Sequence, residues 1–166
     1  MRPVHIPIDG IPGALFVWRA PRLSGHRLTA GDARALSEVG LHEVVCLLED
    51  VAPGRLGPSL VNRRRAIEDA CLGFRSFPIG DFGVPPLDEL RDLVDELLAG
   101  LRRGERILVH CQAGLGRAGL VASSVLVRTG MDPGLAIARV REHRPGAVES
   151  ASQVARVHEL AALSAP

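Results

Sequence analysis

The chain has 166 residues, which is enough for one domain with a buried core, and its net charge of +1 at pH 7 does not suggest nucleic acid or an anionic membrane surface as a partner. Apolar residues make up 46% and aromatic residues only 3%. This composition favours a core of aliphatic side chains in a layered α/β or all-α fold over an aromatic-rich β-sandwich.

Short apolar runs alternate with helical patterns in the first half of the chain. Strands are predicted at 15–19, 43–48 and 74–79, and helices at 29–39 and 59–72. The run at 43–48 is almost continuously apolar, which is typical of a strand buried on both faces. Pro78 cannot donate to a ladder, so the strand that contains it should lie toward an edge of the sheet.

The second half of the chain repeats this alternation. A strand is predicted at 106–110 and helices at 87–101, 116–128, 133–143 and 150–163. Strands that alternate with helices predict an α/β fold with a central, mostly parallel sheet of four to five strands, flanked by helices on both faces. No linker or internal repeat divides the chain, so we expect a single catalytic domain over residues 1–166.

The segment 111–117, which joins the strand at 106–110 to the first turn of the helix at 116–128, contains a cysteine, two glycines and an arginine. A helix N-terminus presents unpaired N–H groups, and Gly114 and Gly116 allow the backbone to curl so that these groups converge on an anion. Cys111 would lie at the base of this cup, where its thiolate is stabilised. Arg117 has the forked geometry that binds two phosphate oxygens. The alternative is a small buried cysteine at a glycine-rich turn, with a solvated arginine nearby.

The segment HCQAGLGRAG at 110–119 resembles the HCxxGxxR loop of the dual-specificity branch of the protein tyrosine phosphatase superfamily. The resemblance covers about the last hundred residues and implies a protein tyrosine phosphatase-like fold and a phosphocysteine intermediate. It implies that Cys111 is the nucleophile and that Arg117 binds the phosphoryl group. The other residues expected to bind phosphate through this loop are Gln112, Ala113, Gly114, Leu115 and Gly116.

A general acid is expected on a second loop. Asp81 lies in a turn rich in glycine and proline that resembles the general-acid loop of the family, thirty residues before the cysteine. A turn residue that satisfies its own backbone is the alternative, and Asp88, in the first turn of a predicted helix, is the competing carboxylate. The segment 144–153 resembles the family segment that ends in a water-positioning glutamine, so Gln153 is a further catalytic candidate, or else an ordinary polar residue of the last helix.

Ala118 departs from the usual family pattern, which has Ser or Thr directly after the arginine. The loop of the phosphatases of regenerating liver also has alanine at this place, and the loop of this chain is similar to it. This resemblance implies slow breakdown of the phosphoenzyme. Cys46 could pair with Cys111, although a packed thiol is the simpler interpretation. The arginines at 63–65 are expected to form a solvated helix face.

The leading hypothesis is a cysteine-dependent phosphomonoester hydrolase that acts on phosphotyrosine, phosphoserine or phosphothreonine in proteins. The alternatives are a small-molecule, nucleotide or RNA 5′-phosphatase on the same scaffold, and a pseudophosphatase that binds phosphorylated partners without turnover. We expect no metal and no cofactor, because the six histidines show no metal-ligand spacing. Three cysteines, no apolar signal-peptide core and no run of membrane-spanning length predict a cytoplasmic protein, with neither membrane nor nucleic acid as a partner.

Overall fold

A computed structural model of the chain describes residues 2–50 and 57–163. It contains a five-stranded sheet, a two-stranded hairpin and six helices within these ranges. The strands are β1 (Val4–Ile6), β2 (Ala14–Trp18), β3 (Leu23–Ser24), β4 (Arg27–Leu28), β5 (Glu43–Cys46), β6 (Gly73–Ser76) and β7 (Arg106–His110). The helices are α1 (Ala30–Val39), α2 (Leu60–Glu68), α3 (Leu87–Arg102), α4 (Gly116–Arg128), α5 (Pro133–His143) and α6 (Ala151–Ala162).

The large sheet has the order β1-β2-β7-β5-β6, and all pairs are parallel except β1 with β2. The prediction of a mostly parallel sheet is therefore confirmed, as is the edge position of β6. β7 lies in the middle of the sheet, with β2 and β5 as its neighbours. The turn that follows β7 consequently lies at the centre of the carboxyl edge, where ligands bind in open α/β folds.

Helices cover both faces of the sheet, as the alternation along β2 illustrates. Leu15 and Val17 face a core built with α3, α4, α5 and α6, whereas Phe16 and Trp18 face a smaller core built with α1 and α2. All four side chains are at most 6% exposed. The period-2 pattern of a strand thus distributes apolar side chains to two helical layers.

Differences from the predicted elements occur where the local pattern is short. β1 and the β3–β4 hairpin were not predicted, since each strand has only two or three residues. The strand predicted at 43–48 ends at Cys46. The helix predicted at 59–72 ends at Glu68, and Cys71 then adopts a φ of 60° in the turn that leads to β6.

The arginines of α2 do not share one environment. Arg64 and Arg65 are exposed and pair with Glu68 and Asp69, one turn along the helix. Arg63 is half-buried, and burial lowers the pKa of its guanidinium. The expectation of a wholly solvated arginine face is therefore wrong at this position. In the described parts of the chain, no helix has both the length and the apolar character needed to cross a membrane.

Candidate active site

The turn after β7 begins with Cys111, which is 3% exposed, and ends where α4 starts at Gly116. The backbone N–H of Gly114 donates to the Cys111 sulfur, with 3.3 Å between nitrogen and Sγ. A thiolate gains from such a donor and from the positive end of a helix dipole. The residues that precede α4 thus hold the sulfur at the helix N-terminus, as the sequence predicts.

The turn packs against the end of β2, and Gly114 is the point of closest approach. Its φ is +73°, and a Cβ built there would lie 2.3 Å from the carbonyl carbon of Trp18. Two residues after Trp18, the N–H of Ala20 donates to the carbonyl oxygen of Gln112 at 3.1 Å. Glycine is required at 114 both by the left-handed backbone and by the lack of space for a side chain.

Arg144, at the end of α5, binds the opposite side of the turn. Its Nε donates to the carbonyl oxygen of Gly114 at 3.0 Å and its Nη2 to that of Ala113 at 2.7 Å. Each trans peptide plane directs its N–H away from its C=O. Because these two carbonyls point toward Arg144, the N–H groups of the same peptide units point to the other side of the turn, where Cys111 lies.

Arg117 and Asp81 are in contact. Arg117 is 6% exposed, donates from Nη1 to the carbonyl oxygen of Ile79 at 3.0 Å, and has its Nη2 2.9 Å from Oδ1 of Asp81. The Asp81 side chain is 71% exposed, so it lies at the rim, while the guanidinium lies inside. The tertiary structure thus brings together two candidates separated by 36 positions in the sequence.

Cys111, Arg117 and Asp81 surround one hollow of about 140 Å³. Its lining residues are Asp81, Phe82, Cys111, Gln112, Ala113, Arg117, Glu149 and Gln153. A larger and more open hollow, of about 670 Å³, shares no lining residue with this one and is lined by residues of β4, α1, α2 and the turn that follows α2. We assign the candidate site to the smaller hollow, because it is lined by the candidate nucleophile Cys111, the candidate phosphate-binding cation Arg117 and two carboxylates.

Gln153 reaches the hollow, but its amide also has structural partners. The side chain is fully buried, and its Oε1 accepts from the backbone N–H groups of Glu149 at 2.9 Å and Ser150 at 3.3 Å. Its Nε2 donates to the carbonyl oxygen of Gly83 at 3.4 Å. Gln153 therefore joins the start of α6 to the loop that carries Asp81.

Glu149 was not predicted as a site residue. Its Oε2 accepts from the backbone N–H of Gly116 at 2.7 Å, and its side chain lines the hollow. The nearest signal in the sequence was its place in the segment 144–153. Because Glu149 and Gly116 are 33 positions apart, only the packing of α6 against α4 brings them together.

Two buried groups behind the turn are held uncharged. Burial lowers the pKa of His110, the ring's hydrogen bond to the Cys111 carbonyl raises it and the charge of Arg63 lowers it, and the resulting pKa is about 4. Burial raises the pKa of the Cys46 thiol. Cys46 lies opposite His110 in the sheet as a free, buried cysteine, as the simpler interpretation predicted. Among the described residues, no group of three or more His, Cys, Asp or Glu side chains is arranged to hold a metal ion.

Relatives among curated proteins match only part of the chain. The mouse (Mus musculus) protein tyrosine phosphatase domain-containing protein 1 is 35% identical over 102 residues, which are 61% of this chain and 14% of the relative. Human (Homo sapiens) cyclin-dependent kinase inhibitor 3 is 34% identical over 85 residues, 49% of this chain and 40% of the relative. The chain thus spans well under half the length of these relatives.

Similar solved structures cover nearly the whole chain. Tk-PTP in its active form is 31% identical, with a TM-score of 0.72 over 98% of this chain and 99% of that one. Kinase associated phosphatase superposes with a TM-score of 0.77 over 98% of this chain and 97% of that one, and at 22% identity it shows the fold alone.

A family model covers the core of the chain. The model, described as "Polymorphic toxin system, DSP-PTPase phosphatase", matches residues 22–131, from the segment that packs on α1 through the cysteine turn and α4. This range is well over half of the 166 residues. The chain therefore belongs to this family of DSP-PTPase phosphatases.

Proposed function

We propose that the chain hydrolyses phosphomonoesters on proteins, with Cys111 as nucleophile, Arg117 as the phosphate-binding cation and Asp81 as general acid. The observation that carries this proposal is the placement of all three side chains around one hollow of about 140 Å³ at the carboxyl edge of the sheet. The remaining phosphate ligands are the backbone N–H groups of 112–117.

In the first step, the Cys111 thiolate attacks phosphorus in line with the leaving oxygen. The P–S bond forms as the P–O bond to the substrate breaks, and Asp81 gives its proton to the departing oxygen. Arg117 binds two of the three remaining phosphoryl oxygens, whose charge it balances in the transition state. A phosphate that binds Arg117 replaces the Asp81 carboxylate on Nη2, which frees Asp81 to face the leaving group.

In the second step, water attacks the phosphocysteine. Asp81, now a carboxylate, takes a proton from the water as the P–O bond forms and the P–S bond breaks, which restores the thiolate and releases inorganic phosphate. Gln153 contributes by holding the backbone of the Glu149 segment and the carbonyl of Gly83 next to the hollow. Its part in water placement is the least direct, since both ends of its amide already have backbone partners.

The rim of the hollow favours an aryl phosphate over an alkyl one. Phe82 follows Asp81, is 60% exposed and lines the hollow with Cys111. An exposed aromatic ring provides a face on which a tyrosine ring can pack. We therefore place phosphotyrosine ahead of phosphoserine and phosphothreonine, and ahead of nucleotides and phosphoinositides.

Two cysteine variants provide the primary test. Cys111→Ser should abolish hydrolysis of para-nitrophenyl phosphate while keeping the binding of inorganic phosphate, whereas Cys71→Ser, which alters an exposed cysteine outside the hollow, should keep full activity. Asp81→Asn should lower kcat by about 10²-fold on a phosphotyrosine peptide, and less on nitrophenyl phosphate, whose leaving group needs less protonation. Equal activity of wild type and Cys111→Ser would refute the proposal.

A phospho-binding pseudophosphatase is the second candidate, and Ala118 is the observation that favours it. Ala118 is fully buried at the third position of α4 and has no hydroxyl to assist release of the sulfur. Phosphotyrosine, phosphoserine and phosphothreonine peptides, nucleotides and phosphoinositides should be assayed together for binding and turnover. Binding of phosphopeptides without release of phosphate from any of these compounds would favour the pseudophosphatase.

A further inference from the structure

Glu149 places a carboxylate against a group that a bound phosphate requires. Its Oε2 is 2.7 Å from the backbone nitrogen of Gly116, the first residue of α4. That nitrogen belongs to the 112–117 segment whose N–H groups are the proposed phosphate ligands. A bond from an N–H at a helix N-terminus to a charged carboxylate is of the stronger, charge-assisted kind.

The surroundings of Gly116 show that this contact is built into the fold. A Cβ at residue 116 would lie 2.5 Å from Oε2 of Glu149 and 3.0 Å from both polar atoms of the Gln153 amide. Glycine at this position therefore allows Glu149 to reach the backbone. Gln153, which is fully buried, also accepts from the Glu149 N–H and so holds the main chain of Glu149 in place.

The backbone immediately before Glu149 is strained. Val148 has a φ of 57°, a left-handed conformation that is a clear outlier for a β-branched residue. Arg141 stabilises this turn by donating from Nε to the carbonyl oxygen of Ala147 and from Nη2 to that of Val148, each at 2.9 Å. Strain that neighbouring contacts maintain next to a candidate active site indicates a functional constraint on the geometry.

We infer that Glu149 competes with phosphate for the Gly116 N–H and thereby lowers the affinity of the site for phosphate, both as part of a substrate and as the released product. Phosphate must displace the Glu149 carboxylate to gain this donor, and it then lies beside a like charge. Asp81 on Arg117 presents a comparable barrier. Both carboxylates belong to exposed residues, and Glu149 differs in that its backbone N–H donates to the buried Gln153 amide. This inference rests on the proposed function.

The test measures binding of inorganic phosphate by calorimetry at pH 7.5, which does not depend on turnover. Glu149→Gln retains the shape of the side chain without its charge, and Glu149→Ala removes the acceptor. Because a hydrogen bond to a charged group outweighs one to a neutral group, both variants should bind phosphate about tenfold more tightly than wild type. The matched control is Glu142→Gln, an exposed glutamate outside the hollow, which should bind as wild type does.

The direction of the change separates competition from a structural role. If Glu149 only supported the turn, its variants would bind phosphate more weakly, and their KM for aryl phosphates would rise. Under competition, KM and the phosphate inhibition constant fall together. Unchanged or weaker binding in whichever of the two variants folds as wild type does would overturn this inference alone. Failure of wild type and both variants to bind phosphate would overturn the proposed function with it.

Discussion

Asp32 is the carboxylate on which the smaller core depends. It is 2% exposed and accepts from Arg19 through two hydrogen bonds of 2.8 and 2.6 Å, and from the backbone N–H of Arg22 at 2.7 Å. Arg19 also lies over the Trp18 ring at 4.5 Å. The ion pair thus fixes the end of β2, against which the cysteine turn packs through Gly114.

Replacement of Asp32 by Asn keeps the shape of the side chain and removes its charge. Burial by itself would raise the pKa of Asp32, but the hydrogen bonds from Arg19 and Arg22 outweigh it and lower the pKa from 3.8 to about 2. This difference corresponds to about 2 kcal/mol of stability at neutral pH. The variant also leaves the Arg19 guanidinium, whose side chain is 19% exposed, without its counter-ion. We expect the free energy of unfolding to fall by about 2–4 kcal/mol.

The stability difference between wild type and Asp32→Asn should depend on pH. A carboxyl group whose pKa is lower in the folded state stabilises the protein above its unfolded pKa, and the stabilisation is lost as the pH falls through the folded pKa. The difference in the free energy of unfolding between wild type and Asp32→Asn should therefore be constant from pH 7 to about pH 5. By pH 3, about half of the part of this difference that depends on the charge of Asp32 should be lost.

Urea denaturation at several pH values measures this gap directly. Asp9→Asn is the matched control, because Asp9 pairs with Arg139 on the surface and its side chain is 83% exposed. Loss of this ion pair should lower the free energy of unfolding by less than about 0.5 kcal/mol. Equal unfolding midpoints for wild type and Asp32→Asn at pH 7, or a gap that does not narrow between pH 5 and pH 3, would refute the reasoning.

Three further predictions concern the cysteine turn. Ala118→Ser should accelerate breakdown of the phosphoenzyme by about tenfold, seen as a higher kcat after an unchanged pre-steady-state burst; a slower kcat would contradict it. Gly114→Ala should abolish phosphate binding. Gly130→Ala is the control, because Gly130 also has a positive φ, of +94°, but a Cβ built there has no atom within 4 Å. This control should lower the free energy of unfolding by only about 1 kcal/mol and keep activity. Buried His110 has a pKa of about 4 in the folded state and near 6.5 in the unfolded state. The free energy of unfolding of wild type should therefore fall by up to about 3 kcal/mol as the pH falls from 6.5 to 4. In urea titrations, the free energy of unfolding of His110→Gln should fall by less over the same range.

The fold could be predicted closely where the local pattern is long and periodic. The bounds of β7, α4 and α5 agree with the prediction residue for residue, since each has a clear apolar pattern of its own, and Gly130 and Pro145 closely follow the two helices. β1 could not be found in this way. Its three residues have no pattern of their own and form a strand only because β2 offers an edge with which to pair.

The residues of the candidate site likewise differ in whether a local sequence pattern identifies them. Cys111 begins the turn and Arg117 is the second residue of α4, six positions later, so a local motif suffices to identify them, and their catalytic roles stay predictions. Asp81 could be proposed from a second motif, although only the tertiary structure brings it to Arg117. Glu149 and Arg144 were missed because their partners are 33 and 30 positions away, and their place in the segment 144–153 does not by itself specify those partners.

The order in which the parts of the site occur along the chain has a consequence for biosynthesis. Every strand of the large sheet is present once His110 has been made, yet Arg144, Glu149 and Gln153 follow more than thirty residues later. Since proteins are made from the N-terminus, a growing chain can assemble its sheet before the residues that shape the phosphate cup have emerged from the ribosome. Catalytic competence should thus arise late in synthesis, and a chain that terminates after α4 should lack it even with its sheet complete.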